Sequence, residues 1–450
     1  MTLPPKPESR PAKVSLWRYA RLFRQDILSA QPARLYRAWM AEFKTPFFRS
    51  YLINQPDLIQ TVLKTRPDEY PKSDRIGEGL RPLLGNSVFL TNGAIWKRQR
   101  RIIDPAFEGG RLRETFPAIW DAAEAAAARL APYDGAPLEV EAQTSHAAAD
   151  VIFRTLFSIP IEHHMAREVF DEFKTYQRSQ PILNIAAFVP LPRWLPRLFR
   201  RDTKRSAAKI RRLITALTAE RMEAIKAGTA PDDLATKIMT TPDPEDGSTF
   251  TTEEMVDQVA IFFLAGHETS ASALAWAMYL VATHPDWQDR LAEEAQAIDQ
   301  CDFAVMGKLK QSRDVFREAL RLYPPVPMMV REASYPATFR DRTVARGAQV
   351  VISPWHLHRH ERLWDNPDGF DPARWHSENG KKCQREAYLP FSAGARVCPG
   401  AGFAMVEGPL ILSRILRDYR IEVVGKKPPV PVAHLTVRSK DGILLRFVRR

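Results

Sequence analysis

The chain has 450 residues, 45% of them hydrophobic and 26% charged, an ordinary globular balance that excludes a disordered or fibrous protein. Its 65 Lys and Arg outnumber 53 Asp and Glu, a net charge of +12, which favours an acidic partner, an anionic surface or nucleic acid and says nothing about fold. The three cysteines, Cys301, Cys383 and Cys398, are too few for a disulfide framework or a four-cysteine zinc site.

Residues 1–14 are rich in proline and charge. They are expected to be a flexible segment ahead of one large domain over 15–450. They lack the apolar core of a signal peptide, so a cytoplasmic protein is expected. Phe47–Ile53 reads as a strand, Asp121–Leu130 as an alanine-rich helix and Lys204–Ala227 as a basic amphipathic helix. Between the last two, Pro181–Arg200 is apolar, aromatic and proline-rich.

Val259–Val281 is long enough to cross a bilayer. Its centre, however, is Gly266-His267-Glu268-Thr269-Ser270, costly groups to hold at the midplane. Thr251 and Glu254 form a capping box ahead of it, and His284-Pro285 marks its end. From Thr252 to Thr283 such a helix is roughly 48 Å long, and we read it as the buried spine of a large protein with no transmembrane anchor. Helices follow at Pro285–Ala297 and at Gln311–Leu322, the latter stopped by Pro324-Pro325. Strand-like runs are few: Gln349–Ser353 and Gly442–Val448 join Phe47–Ile53. The expected fold class is therefore mainly α, with minor sheet near both ends.

The chemistry concentrates in Phe391-Ser-Ala-Gly394-Ala-Arg396-Val-Cys398-Pro-Gly400. Glycines on both sides of a cysteine let backbone pass close to a flat, bulky group. Pro399 suits the first position of a helix over Ala401–Leu416. Cys398 then lies at a helix N-terminus, where free amides favour a thiolate, a soft metal ligand. The bland alternative is a buried structural cysteine.

These ten residues resemble the haem-binding signature of the cytochrome P-450 family, the haem-thiolate monooxygenases. Further segments follow the family's order. Ala265-Gly266-His267-Glu268-Thr269 resembles its distal oxygen-binding stretch, and Glu318-Ala-Leu-Arg321 its Glu-x-x-Arg pair. Phe370-Asp-Pro372-Ala-Arg374-Trp375 resembles the segment donating a third member of that ion network, and Trp96-Lys-Arg-Gln-Arg100 an early helix that reaches haem carboxylates. Independent motifs at consistent spacing outweigh any single one.

The resemblance implies the cytochrome P-450 fold, a large helical domain with a small β-rich subdomain. It implies haem b, an iron protoporphyrin, with Cys398 as thiolate ligand, which favours O–O cleavage. Phe391 packs beside the sulfur, and Gly400 belongs to the same loop. Trp96, Arg100, Arg331 and Arg396 serve the propionates, arginine being preferred for its fork geometry. Glu268 and Thr269 are the expected proton-delivery pair, the Thr269 hydroxyl directed at the Ala265 carbonyl and loosening the helix. Gly266 lets backbone lie close to the haem. Glu318, Arg321 and Arg374 form a structural network that fixes the cysteine loop. Phe262, Ala265, Thr269, Val326 and Met329 line the substrate pocket, with part of Arg75 to Leu90, and Pro181–Arg200 roofs its channel or touches a membrane surface.

The implied reaction is insertion of one oxygen atom from dioxygen into an apolar small molecule, by hydroxylation or epoxidation. Alternatives are a peroxide-driven enzyme, an isomerase or a non-catalytic haem protein. Only 450 − 398 = 52 residues follow Cys398, so electrons are expected from a separate acidic protein, a ferredoxin or flavodoxin with its reductase. Lys97, Arg98 and Arg101 are its expected docking patch. No nucleic-acid motif accompanies them. His356, His358 and His360 alternate, but no carboxylate or cysteine completes a zinc set.

Overall fold

In the computed structural model the described residues are 3–44, 48–179, 201–433 and 435–450. The apolar connection Pro181–Arg200 lies outside them, as does Phe47 of the first expected strand. The chain divides into two compact units interleaved in sequence. One comprises 1–71, 123–147 and 268–450, the other 72–122 and 148–267.

Helices dominate, as the composition predicts. The longest is Thr252–Ala282. Its capping box is complete: the Thr251 amide donates to Glu254 at 2.9 Å and the Glu254 amide to Thr251 Oγ1 at 3.2 Å. Two of the helix's first free amides are thereby satisfied. From Met255 to Val281 every residue is buried except Phe262, Ala265, Gly266 and Thr269. Those four recur at helical spacing and form one open stripe on an otherwise enclosed rod. The helix is α-helical throughout. Gly266 has a packing reason of its own: a Cβ there would lie 2.3 Å from Ile152 Cδ1.

In the first unit, Lys310–Leu322 and the cysteine helix Ala401–Asp418 pack together. Gly408 permits this, because a Cβ on it would meet the Phe316 ring at 2.2 Å. A four-stranded sheet orders Met40–Lys44, Arg49–Ile53, Gln349–Ile352 and Met329–Glu332. Its middle pair is parallel and the outer pairs antiparallel. Tyr51, Ile53, Val350 and Ile352 turn one face into a core shared with Leu63, Trp364 and Trp375. A three-stranded antiparallel sheet joins Pro137–Glu139, Leu444–Arg449 and Tyr419–Val423. A short hairpin pairs Pro431–Ala433 with Val437–Ser439.

The N-terminal segment differs from the flexible leader expected. Pro4 and Pro7 are buried, the Tyr323 hydroxyl donates to Pro5 O at 2.8 Å, and Lys6 pairs with Asp368. Prolines with preset φ lose less entropy on ordering than other residues. Among the described residues no helix is long and apolar enough to cross a membrane.

Candidate active site

The cysteine loop is closed by its own backbone. The Cys398 amide donates to Phe391 O at 2.9 Å, and the Ala401 amide to Cys398 O at 3.3 Å. The helix begins at Ala401 with Gly400 as N-cap, so Pro399 stands one residue outside it rather than at its first position. Gly394 takes φ +69°, and a Cβ there would lie 2.0 Å from Leu63 O. Only glycine meets both demands. Cys398 is exposed, and a Cβ on Gly400 would meet its sulfur at 3.9 Å, an ordinary contact.

Arg396 and Arg331 belong to the same unit. Arg396 Nη1 donates to Pro67 O at 2.6 Å. Arg331 Nη1 makes one long contact to its neighbour's carbonyl at 3.3 Å, and its Nε is buried without a hydrogen-bond partner. Burial, and then the charge of Arg396, bring the Arg331 guanidinium down to about 10. A buried cation whose charged neighbour is another cation is costly unless an anion is supplied. Haem propionates are such anions, so the residues present fit the group.

Trp96 and Arg100 lie on the helix Gly93–Ile103 of the other unit. Trp96 is buried, with the Lys72 ammonium 5.8 Å from its ring centre. Arg100 directs Nε at Asp104, 2.8 Å away. Arg98 and Arg101 depart from the sequence reading. Arg98 reaches Ser248, Glu254 and Thr249 O at 2.8–3.0 Å, and Arg101 clamps Asp243 with two bonds of 2.6 and 2.7 Å. Of the three expected docking cations, Arg98 and Arg101 are thus neutralised inside their own unit, while Lys97 is exposed.

Glu268 and Thr269 are adjacent on the long helix. Thr269 is half-buried on the open stripe. Glu268 is buried, with Arg438 Nη2 3.1 Å from Oε1, while Oε2 is enclosed without a hydrogen bond. Burial raises its carboxyl above the ordinary value, and Arg438 opposes that rise. Phe262 and Ala265 share the stripe, the Phe262 ring 5.6 Å from that of Phe107. Val326 is exposed, and Met329 is half-buried at the start of its strand. The buried ring of His267 stacks on Phe263 at 5.5 Å. A charged surface cleft of about 390 Å³ lies elsewhere, lined by Arg111, Asp232 and Lys237, and holds none of these residues.

Glu318 receives two bonds from Arg321, at 2.7 and 2.9 Å, and one from Arg374 at 2.9 Å. Burial works to raise its carboxyl, yet Arg321 and Arg374 bring it below its ordinary value. Both arginines also hold the turn at 365–369: Arg321 reaches Pro367 O and Gly369 O, and Arg374 reaches Asp365 O and Asn366 O.

Sequence reasoning missed His358 as a structural link. The three alternating histidines sit in a helical turn, Pro354–Leu357, and the residues after it. Among the described residues no metal-binding cluster exists. His358 is fully buried; its Nδ1 lies 3.2 Å from Arg321 O, and its Nε2 accepts the Leu389 amide at 2.8 Å. It ties the Glu318 helix to the residue two places before Phe391. Glu407 was missed as well: it is buried mid-helix, accepts from the Ser270 hydroxyl, and is pushed by burial up to about 7. A lone carboxylate among Ala, Met, Val, Gly, Pro and Leu was the available signal.

The cytochrome P450 family profile matches residues 36–446. The chain belongs to that family. Cyclooctat-9-en-7-ol 5-monooxygenase of Streptomyces melanosporofaciens is 32% identical over 84% of this chain and 81% of its own. Cytochrome P450 4A14 of Rattus norvegicus is 30% identical over 91% and 82%. The crystal structure of the cytochrome P450DA heme domain superposes with a TM-score of 0.79, covering 100% of this chain and 98% of that one at 22% identity, which supports the fold alone. The protein is a cytochrome P450 monooxygenase of the haem-thiolate class.

Proposed function

We propose that Cys398 is the thiolate ligand of haem b and that the enzyme inserts one oxygen atom from dioxygen into an apolar small molecule. The observation that carries the reading is the exposed Cys398 thiol in a closed loop of the unit that also holds the buried Arg331 and, charged against it, the half-buried Arg396. The haem, when bound, supplies oxygen activation at a thiolate-ligated iron.

The residues of this chain do the rest. Arg331 and Arg396 offer fork-shaped donors to propionates. Trp96 and Arg100 serve as further propionate donors. Glu318, Arg321 and Arg374 fix the turn at 365–369, and His358 carries that rigidity towards the cysteine loop. On the long helix, Thr269 holds an exchangeable hydroxyl proton and Glu268 a carboxyl whose Oε2 can take or give one. Phe262, Ala265, Val326 and Met329 offer apolar surface to a substrate. The name of the Streptomyces relative, a 5-monooxygenase of cyclooctat-9-en-7-ol, supports an apolar cyclic skeleton.

Electrons come, in this reading, from a separate acidic protein such as a ferredoxin or flavodoxin with its reductase. Its docking surface excludes Arg98 and Arg101, which are already paired. Titration of the purified holoenzyme with a panel of apolar molecules, read as a change of iron spin state, tests the substrate class. Saturable shifts with cyclic hydrocarbons or alcohols are expected; shifts confined to polar, charged molecules would overturn it.

A further inference from the structure

The C-terminal hairpin Pro431–Ala433/Val437–Ser439 is fastened to one face of the long helix. Glu268, Ser272 and Trp276 are spaced by four residues and so stand above one another on that face. All three reach the same short strand. Arg438 Nη2 lies 3.1 Å from Glu268 Oε1, the Ser272 hydroxyl donates to Val437 O at 2.5 Å, and Trp276 Nε1 donates to the same oxygen at 3.3 Å. The strand is held from other sides too. The Val437 amide donates to Pro325 O at 3.0 Å, and the Ser439 amide to Glu141 Oε1 at 2.8 Å. On the opposite strand, the buried Asp26 accepts the Ala433 amide at 2.8 Å. Position 438 is thus fixed by its neighbours on both sides, with its guanidinium aimed at Glu268.

The two ends of this ion pair differ. The Arg438 side chain is 35% exposed and that of Glu268 only 7%. Glu268 Oε1 faces the arginine, and Oε2 is enclosed with no hydrogen bond. A buried carboxylate is stable only when paired. Among the described residues the charged groups around it are few. Arg438 is the cation on the hairpin, Glu141 lies beyond it and feels the same arginine, and Glu407 is reached through Ser270, two residues along the helix. The side chain of His267 turns away to Phe263 and Phe170.

We propose that Arg438 is a positioning residue for proton delivery, holding the Glu268 carboxylate in place on the long helix and connecting it to solvent from the C-terminal hairpin. The inference rests on the reading of Glu268 as a proton-delivery group. Because the Val437 amide is bonded to Pro325 O, one residue before Val326, the same hairpin links the Pro325–Met329 segment to the protonation of Glu268.

The test uses the holoenzyme and four variants: Glu268→Gln, Arg438→Met, Arg438→Lys and the double variant Glu268→Gln/Arg438→Met. Infrared difference spectra against Glu268→Gln isolate the protonated carboxyl band of Glu268, which is then followed with pH. Loss of an opposite charge at this range raises a carboxyl by about one to three units, so Arg438→Met moves the midpoint upward by at least about tenfold in proton affinity, and Arg438→Lys restores most of it. Oxygen consumption driven by a photochemical electron donor, compared in H2O and D2O, supplies the second reading. The solvent isotope effect rises in Arg438→Met, and the double variant is no worse than Glu268→Gln. If Glu268→Gln is impaired while Arg438→Met keeps the parent's midpoint and isotope effect, the inference is overturned and the reading of Glu268 survives. If Glu268→Gln matches the parent, that reading fails and takes the inference with it. Should Arg438→Met lose its haem, Arg438→Gln is measured by the same two criteria.

Discussion

Replacement of His358 tests the link between the Glu318 helix and the cysteine loop. Its neutral ring faces the Arg321 carbonyl with Nδ1 and accepts the Leu389 amide at Nε2, so no single rotamer of Asn or Gln reproduces both bonds. His358→Phe keeps most of the volume and leaves the buried Leu389 amide without an acceptor, at about 1–3 kcal/mol, with about 1 kcal/mol more for the second bond. A loss of about 2–4 kcal/mol in unfolding free energy is expected. The ring also leaves a pH signature. Burial, and then the charge of Arg321, bring His358 down to about 3. Above about pH 6.5 the ring is neutral folded and unfolded, and its contribution is complete. As pH falls below that value the unfolded chain takes up a proton and the folded chain does not, so stability declines until about pH 3. Between about pH 6 and pH 5 one such histidine contributes a slope of about 1 kcal/mol per unit. Denaturation followed by far-ultraviolet circular dichroism should therefore show His358→Phe less stable at neutral pH and less steeply destabilised by acid. Equal stability, or an unchanged acid slope, would refute the bridging role.

Other outcomes follow from the same geometry. Arg374→Met removes one cation from Glu318 and three carbonyl contacts; a loss of about 3–5 kcal/mol is expected in urea unfolding, with haem released before the helices melt. Gly394→Ala combines a positive φ with a Cβ 2.0 Å from Leu63 O, and the ratio of haem to protein after purification should fall several-fold. Glu407 has the opposite sign to His358. Its carboxyl is held up to about 7, so the folded state keeps a proton that the unfolded state has lost, and stability falls as pH rises from about 4.5 through 7. Glu407→Gln should flatten that fall and be about 1–3 kcal/mol more stable than the parent at mildly alkaline pH, read by the same denaturation. Charge reversal at Arg98 should lower stability through lost contacts to Glu254 and Ser248, while reduction kinetics at low salt stay within about twofold of the parent's.

What the sequence disclosed was local or repeated. The capping box at Thr251 and Glu254, the proline stops and the apolar run of the long helix placed that element within one residue of its observed end. The cysteine segment was legible because several residue types coincide at fixed spacing. Long-range partners left no such mark. Arg438 lies 170 positions from Glu268, in a three-residue strand without a motif, and only the fold brings them together. The three histidines were visible, but nothing in their spacing marked the helical turn that tertiary packing gives them. Arg98 and Arg101 read as a free basic patch because the acids that neutralise them, Asp243 and Glu254, are more than 140 residues away.

The most direct measurement is the absorption spectrum of the reduced holoenzyme under carbon monoxide, taken for the parent and for Cys398→Ser and Cys398→His. Thiolate ligation by Cys398 predicts the long-wavelength Soret band in the parent and its loss in both variants, with Cys398→His moving to the band of an imidazole-ligated haem. A parent that gives the imidazole-type band, or a Cys398→Ser variant that keeps the thiolate-type band, would contradict the assignment.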